Sequence, residues 1–243
     1  NRYGANIEVS TDGREMVSYG LEISPGRSES GGYRISLSPS VSVKPTPGVS
    51  IRFSPEFTRD VTIAQWVSNI ADPTASATYG TRHIFGKINQ RELSAGVRLD
   101  WTFTPKLSLQ VYLQPLISVG TYSDFKELRA PRTYTFNRFG GNNGSTISYD
   151  EGSGEYSVDP DGGGPADTIT FSNPDFNFTS LRGNAVVRWV FLPGSTAFFV
   201  WTHSTHDDAD PGSFEFGRDF GKLFSTKNYD DIFLIKIAYW LHP

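Results

Sequence analysis

Cysteine is absent from this chain of 243 residues. Disulfide bridges and thiolate metal sites are therefore excluded, but the compartment is not identified, because many exported bacterial proteins also lack cysteine. Histidine occurs only four times, and basic residues are not in excess: 22 Lys and Arg stand against 26 Asp and Glu, for a formal net charge of −4. A nucleic-acid partner is excluded, because no basic stripe could follow a phosphate backbone.

Long apolar runs are also missing. The densest, TAFFVW at 196–201, is far below the ~18 to 20 residues that a membrane-spanning helix requires. A helical membrane protein is thus excluded. The chain begins with Asn, and no basic segment followed by an apolar core opens it, so we expect a signal peptide or other residues upstream in the gene product.

The sequence is instead rich in residues that separate strands. It contains 24 Gly and 15 Pro, and its apolar side chains recur at every second position rather than at helical spacing. This pattern predicts a single all-β domain over residues 1–243 with nine visible strands. The predicted strands cover 3–10, 14–24, 32–43, 49–69, 79–104, 107–122, 176–192, 195–206 and 230–242.

Alternation is clearest in KLSLQVYLQPLISV, residues 106–119, where one face is apolar and the other polar. Two environments produce this split: the interior of a soluble sandwich or barrel, and the lipid around a transmembrane barrel with a wet interior. Strand length favours the membrane. At ~3.3 Å per residue the segment extends roughly 40 Å, enough to cross ~25 to 30 Å of hydrocarbon at a ~45° tilt, whereas sandwich strands usually have ~5 to 6 residues.

The connections differ between the two ends of the predicted strands. Tight turns rich in Pro, Gly and Asp, such as VKPTPG and LPGS, are expected at one end. Long external loops are expected at the other, above all at about 123–175 and 207–230. Outer-membrane barrels have this asymmetry, with the short turns in the periplasm. It requires INQRE at 88–92 to lie within one strand, although Asn89 and Gln90 could also form a turn.

The predicted fold is therefore a transmembrane, antiparallel, up-and-down β-barrel of a bacterial outer membrane, with its C-terminus on the periplasmic side. The first visible strand runs from the loop side toward the turn side. Both chain ends can then be periplasmic only if an odd number of strands precedes it. We expect a closed barrel of roughly 14 to 16 strands, with the upstream strands missing from this chain.

Each face of the predicted wall has its own solvent. Lipid is expected around an apolar set, namely Leu109, Val111, Leu113, Val187, Trp189, Phe233, Ile235, Ile237 and Tyr239. A wet lumen is expected to be lined by a polar set, namely Arg34, Arg52, Glu56, Arg98, Asp100, Gln110, Tyr112, Gln114, Arg182 and Arg188. The polar set fits both an open pore and an internal network that plugs the barrel.

Two clusters suggest chemistry, and each also has a simpler interpretation. One is acidic and glycine-rich and contains Asp159, Asp161 and Asp167. Its carboxylates could hold Ca²⁺ in an external loop, or the segment could be a solvated surface hairpin. The other lies where a strand ends and contains His203, His206, Asp207 and Asp208. These side chains could activate water in a hydrolase, or could form a polar rim.

Four stretches resemble a bacterial family: HIFGKINQRELSAGVRLDWTFTPKLSLQVYLQPLISVGTYSDFKEL (83–128), PDFNFTSLRGNAVVRWVFLPGSTAFFVWTHS (174–204), GSFEFGRDFGKLF (212–224) and IFLIKIAYWL (232–241). They are similar to the C-terminal barrel region of a domain-of-unknown-function family, number fifty-nine sixteen, over most of residues 49–243. The resemblance implies an outer-membrane location. Members typically carry an N-terminal module similar to family-nine carbohydrate-binding modules, which implies a link to glycans. The family has no established catalytic residues, so none is assigned.

These observations favour an outer-membrane protein that acts as a channel, a receptor or a membrane anchor, surrounded by lipid and linked to carbohydrate binding or uptake. A surface-exposed barrel hydrolase and a structural subunit of an envelope assembly with protein partners are the alternatives. No cofactor is expected apart from Ca²⁺ in the external loop.

Overall fold

A computed structural model describes residues 1–141, 144–209, 212–224 and 228–241 of the chain. These residues form fourteen strands, all paired antiparallel, together with one short α-helix. The all-β, antiparallel class predicted from the alternation is confirmed. In the same four segments, no helix is long and apolar enough to cross a bilayer.

The strands are, in chain order, β1 (Arg2–Gly4), β2 (Ile7–Ser10), β3 (Val17–Ser28), β4 (Tyr33–Thr46), β5 (Val49–Ala71), β6 (Thr81–Thr104), β7 (Leu107–Leu128), β8 (Phe136–Arg138), β9 (Thr146–Asp150), β10 (Glu155–Asp159), β11 (Ile169–Ser172), β12 (Phe176–Leu192), β13 (Ser195–Ala209) and β14 (Tyr229–Ala238). The helix, α1, spans Phe216–Lys222. A 3-10 turn at Ser76–Thr78 connects β5 to β6. A small sheet has the order β11-β10-β9, and the other eleven strands form one large sheet.

The large sheet follows the order β1-β3-β4-β5-β6-β7-β12-β13-β14, with β2 also paired to β3 and β8 to β7. Neighbours in the sheet are therefore mostly neighbours in the chain, as in an up-and-down wall. Among the described residues β1 and β14 do not pair with each other, so the sheet is open. The expected closed barrel is not formed by these strands, because closure needs ladder hydrogen bonds between the two edges.

The strand boundaries depart from the prediction in several places. The segment 3–10 is divided into β1 and β2, which both pair with β3. β3 continues to Ser28 and leaves only residues 29–32 before β4, where a longer loop was expected. β14 ends at Ala238, and position 242, the predicted end, lies outside the described residues. β6 runs without interruption through INQRE, which confirms the single strand there.

The segment 123–175, expected to be an external loop, contains regular structure. β7 continues into it as far as Leu128, and the sheet β9–β11, which we call the cap, packs against the large sheet. Val158 and Phe171 of the cap share a buried core with Ile84 of β6 and Phe125 of β7. The segment therefore contains a small sheet with one buried side rather than only an irregular loop. Its buried apolar residues cover a surface to which β5, β6 and β7 contribute.

Backbone conformation in the cap requires glycine at position 162. Gly162 has φ +65°, and a Cβ there would overlap the carbonyl oxygen of Gly144. Gly154 is also left-handed, at φ +71°, but a Cβ there would meet no atom within 4 Å. We expect Gly154→Ala to lower the free energy of unfolding by about 1 to 2 kcal/mol and Gly162→Ala by more. Thermal unfolding of both variants measures the difference, and equal losses would contradict the close approach to Gly144.

The segment 207–230 was also expected to be a loop, yet it contains the end of β13 and helix α1. Leu223, which directly follows the helix, is 2% exposed and packs against Ile117, Val119 and Leu181. The helix is thus held against β7 and β12 by apolar contacts rather than projecting from the sheet.

Candidate functional site

The pairing register divides the large sheet into two faces. On the first, which we call the polar face, Arg98 of β6 pairs with Arg52 on one side and with Tyr112 on the other. Farther along, Gln114 pairs with Arg182. All ten residues of the predicted polar set occupy this face, namely Arg34, Arg52, Glu56, Arg98, Asp100, Gln110, Tyr112, Gln114, Arg182 and Arg188. That the polar face borders a wet lumen stays a prediction.

Side chains of the polar face bind one another both across strands and within a strand. Gln110 Nε2 donates to an Asp100 carboxylate oxygen at 3.0 Å, and Arg98 Nε lies 3.3 Å from the same carboxylate. Arg52 Nε donates to Ser42 Oγ at 3.0 Å. The Arg98 side chain is nevertheless 61% exposed. It can therefore contact water or a solute while its charge is balanced within the sheet.

A depression of about 440 Å³ opens on the polar face between β5, β6, β7 and β12. Its lining includes Glu56, Glu92, Tyr112, Gln114 and Arg182. Carboxylate acceptors, amide and guanidinium donors and a phenol ring thus surround one space. This combination can hydrogen-bond a hydrated or polyhydroxylated solute, and the ring offers an apolar surface to it.

The cap lies over the loop end of this same face. Ile84 and Ile88 alternate on β6 with the same parity as Glu92, so the three side chains share a face. Ile84 belongs to the core of the cap, and Tyr122, which pairs with Ile88, packs against that core. The cap therefore covers the end of the polar face at which the long connections emerge.

The opposite face, which we call the outer face, exposes apolar side chains. Trp189 is 48% exposed, Ile235 65% and Phe233 77%. It carries the predicted apolar set, namely Leu109, Val111, Leu113, Val187, Trp189, Phe233, Ile235 and Ile237, with Tyr239 stacked 6.3 Å from Phe191 just beyond β14. Contact of these side chains with lipid stays a prediction.

On β4 and β5, exposure of the two faces is the reverse of that in a water-soluble sheet. Ser36 of β4 and Thr58 of β5 share a hydrogen bond of 2.8 Å and are only 7% and 4% exposed. Their chain neighbours on the outer face, Ile35 and Phe57, are 44% and 41% exposed. Water would favour the opposite arrangement, because each buried apolar side chain contributes about 1.5 to 3 kcal/mol.

The exposed apolar side chains of the outer face, from Phe233 and Ile235 on β14 to Phe53 on β5 and Tyr19 on β3, form a band that we call the apolar band. This band crosses the sheet diagonally. One row of paired residues runs from Asp231 and His203 at the β14 edge, through Leu113, to Phe53 and Tyr19 at the other side. The row is polar at Asp231 and His203, whereas Phe53 and Tyr19 at its other end are apolar and exposed. The strands are therefore inclined to the band, which is the relation expected of tilted strands in a barrel wall.

The proposed histidine and aspartate cluster is not assembled. His203 lies on the outer face, where its Nδ1 is 2.8 Å from Asp231, whereas His206 lies on the polar face, because residues three apart in a strand project to opposite sides. Asp207 lies on the outer face, with its Oδ1 3.8 Å from Lys222 Nζ. Asp208 lies on the polar face, like His206. In the part of the chain that the structure describes, no group of three or more His, Cys, Asp or Glu could hold a metal ion.

The acidic residues of the cap mostly bind backbone. Asp159 accepts hydrogen bonds from the amides of residues 161 and 162 at 3.2 and 2.7 Å. Asp161 accepts from the amides of residues 164 and 166 at 3.2 and 3.0 Å. These contacts shape the turn after β10, and calcium binding by Asp159, Asp161 and Asp167 stays a prediction.

Sequence reasoning missed a buried polar contact beneath α1. The fully buried carboxylate of Asp219 accepts hydrogen bonds from Asn177 at 3.0 Å, Arg218 at 2.8 Å and the Glu215 amide at 2.9 Å. Burial raises the pKa of this carboxyl, but the three hydrogen bonds outweigh it and keep the pKa below its ordinary value. No local pattern signals the pair, since 42 residues separate Asn177 from Asp219.

Comparison with known protein families identifies the family to which the chain belongs. A family described as Domain of unknown function (DUF5916) matches residues 1–242. A comparison with curated proteins found no match. The family match extends beyond the four stretches that carried the resemblance, while the N-terminal carbohydrate-binding module stays a prediction. Because the match covers nearly every residue, the chain belongs to the DUF5916 family.

Proposed function

We propose that this chain is part of the wall of a transmembrane β-barrel in a bacterial outer membrane, and that the barrel is a channel for hydrophilic solutes. The inverted exposure carries the proposal: buried Ser36 and Thr58 alternate with exposed Ile35 and Phe57 on adjacent strands. Lipid on the outer face removes the cost of those exposed apolar groups, and water on the polar face solvates the charges.

The open sheet is interpreted as an arc of a larger barrel. In the described part of β14 every residue is exposed, and the edge of the strand that faces away from β13 has no partner there. A long, apolar, unpaired edge promotes aggregation in water and is not tolerated in hydrocarbon. We propose that further strands complete the ladder from the edges at β1 and β14, which agrees with a wall of roughly 14 to 16 strands.

The interior suits a polar solute. Charges of both signs line the depression beside Tyr112, and the cap covers the loop end of the polar face. The cap would narrow the external entrance and select by size. A glycan or a sugar-like solute fits this lining, because hydroxyl groups use the available donors and acceptors. Separation of His203 from His206 leaves the hydrolase alternative without an assembled site.

Planar-bilayer recordings of the full-length protein test the channel. We expect Arg98→Gln to shift the reversal potential in a salt gradient toward cation selectivity, because it removes one positive charge from the pore wall. Arg14→Gln is the control, since Arg14 pairs with Asp12 in an exposed turn. An unchanged reversal potential for Arg98→Gln would contradict the pore lining, and an inserted protein without conductance would contradict the channel.

A further inference from the structure

Helix α1 has its polar and apolar sides reversed. Phe216 and Phe220 of the helix and Phe224, two residues beyond its end, are 54%, 45% and 63% exposed, and their rings contact in sequence at centroid distances of 5.4 and 5.5 Å. The side toward the sheet buries the Asp219 carboxylate and Leu223 instead. A helix on a water-covered surface directs its apolar stripe inward and its charges outward.

The helix lies on the outer face, next to the apolar band. Leu223 packs on residues of β7 and β12, and Thr205 Oγ1 donates to the Leu223 carbonyl at 3.3 Å. Trp201 and His203, which precede Thr205 at every second position of β13, lie on the same face as Thr205. The segment that carries the phenylalanine ridge, formed by Phe216, Phe220 and Phe224, is therefore anchored on the outer face two and four positions along β13 from His203 and Trp201.

Aromatic side chains mark that boundary. The Trp201 ring lies 5.6 Å from the His203 ring, which lies 6.4 Å from Tyr229. Trp201 Nε1 donates to Asp231 at 2.8 Å, so its polar atom has a partner at the rim. Trp and Tyr concentrate at membrane interfaces, where an apolar ring and a polar tip meet different solvents.

We propose that α1 is an interfacial helix whose phenylalanine ridge enters the lipid headgroup and upper acyl region of the outer leaflet. The inference rests on the proposed membrane location and adds a second element of contact to the strands. Lipid is the expected partner, because Leu223 seats α1 on the outer face that the proposed function places in hydrocarbon, and the ridge lies on the exposed side of the same helix. The helix is held to the wall by Asp219 and Leu223 and embeds its opposite side to a depth of about 5 to 10 Å.

Site-specific fluorescence in lipid vesicles tests this placement. The chain has no cysteine, so Phe220→Cys in the full-length protein, with any cysteine elsewhere replaced by serine, carries a single environment-sensitive label. Ile235→Cys reports the strand band, and Glu151→Cys in an exposed turn of the cap is the aqueous control. Vesicles contain lipids spin-labelled either near the headgroup or near the chain end.

We expect the label at position 220 to lose more fluorescence to the headgroup quencher than to the chain-end quencher, and the label at 235 to be quenched by the chain-end probe. The label at 151 should be quenched by neither. Quenching at 235 but not at 220 would overturn the interfacial helix alone. Absence of quenching at both would overturn the membrane location as well. Self-quenching at 220 that depends on protein density, without lipid quenching, would assign the ridge to a second copy.

Discussion

Val111→Arg is expected to lower the free energy of unfolding by about 2 to 4 kcal/mol, whereas Gln110→Arg, one position away on β7, should be tolerated. Val111 pairs with Leu99 and Ala185 on the outer face, and Gln110 faces Asp100 on the polar face. Arginine at position 111 would carry a charge into hydrocarbon. At position 110 it would remain in water beside a carboxylate.

Guanidinium unfolding of the full-length protein in lipid vesicles, followed by tryptophan fluorescence, measures both values. Val111→Leu is the matched control for side-chain size and should unfold close to the parent. Equal losses for the two arginine variants would mean that the faces differ little in solvent. A larger loss for Gln110→Arg would reverse the assignment of lipid and water to the two faces.

Arg82→Leu is expected to cost about 3 to 5 kcal/mol, because it leaves two buried carboxylates without their cation. Arg82 Nε lies 2.6 Å from Asp72, and its Nη1 lies 2.5 Å from Glu127, with all three residues less than a tenth exposed. These two ion pairs, both made by Arg82, join the β5–β6 connection to the end of β7 beside the cap. Hydrogen exchange and chemical unfolding report the loss.

The matched control is Arg14→Leu. Arg14 makes an equally short contact with Asp12, at 2.6 Å, but its side chain is 90% exposed. Exposed ion pairs contribute about 0 to 1 kcal/mol, so this variant should resemble the parent. Similar losses for the two leucine variants would show that burial of Arg82 has no energetic consequence.

The pH dependence of the Arg82 contact has a defined sign. Burial raises the pKa of Asp72, but hydrogen bonds from Thr74 and Arg82 outweigh it, so the folded pKa lies below the ordinary value of 3.8. A carboxyl whose pKa is lowered by folding stabilises the folded state. This contribution to the free energy of unfolding is present above the ordinary pKa and is lost as the pH falls through the folded pKa. In Arg82→Leu one of these hydrogen bonds is absent and burial has more weight. The difference in free energy of unfolding between the parent and Arg82→Leu should therefore shrink as the pH is lowered from neutral.

Faces and strands of the wall were predictable from the sequence. A strand alternates its side chains with period two, so the polar set containing Arg98 and Tyr112 could be separated from the apolar set containing Val111 without any knowledge of pairing. The regular alternation of short turns and long loops favoured one strand through INQRE, and β6 is continuous there. Boundaries were less accurate, because extensions such as that of β7 to Leu128 depend on partners across the sheet.

By itself, then, the sequence determined the antiparallel all-β class and the residues on each face, because both follow from alternation within single strands. Tertiary structure alone decided that the insertion folds into a cap on the polar face and that α1 lies on the outer face. The reason is physical: Val158 is buried against Ile84, and Asp219 bonds to Asn177. Such contacts join residues far apart in the chain, and neither partner marks the other in a local pattern.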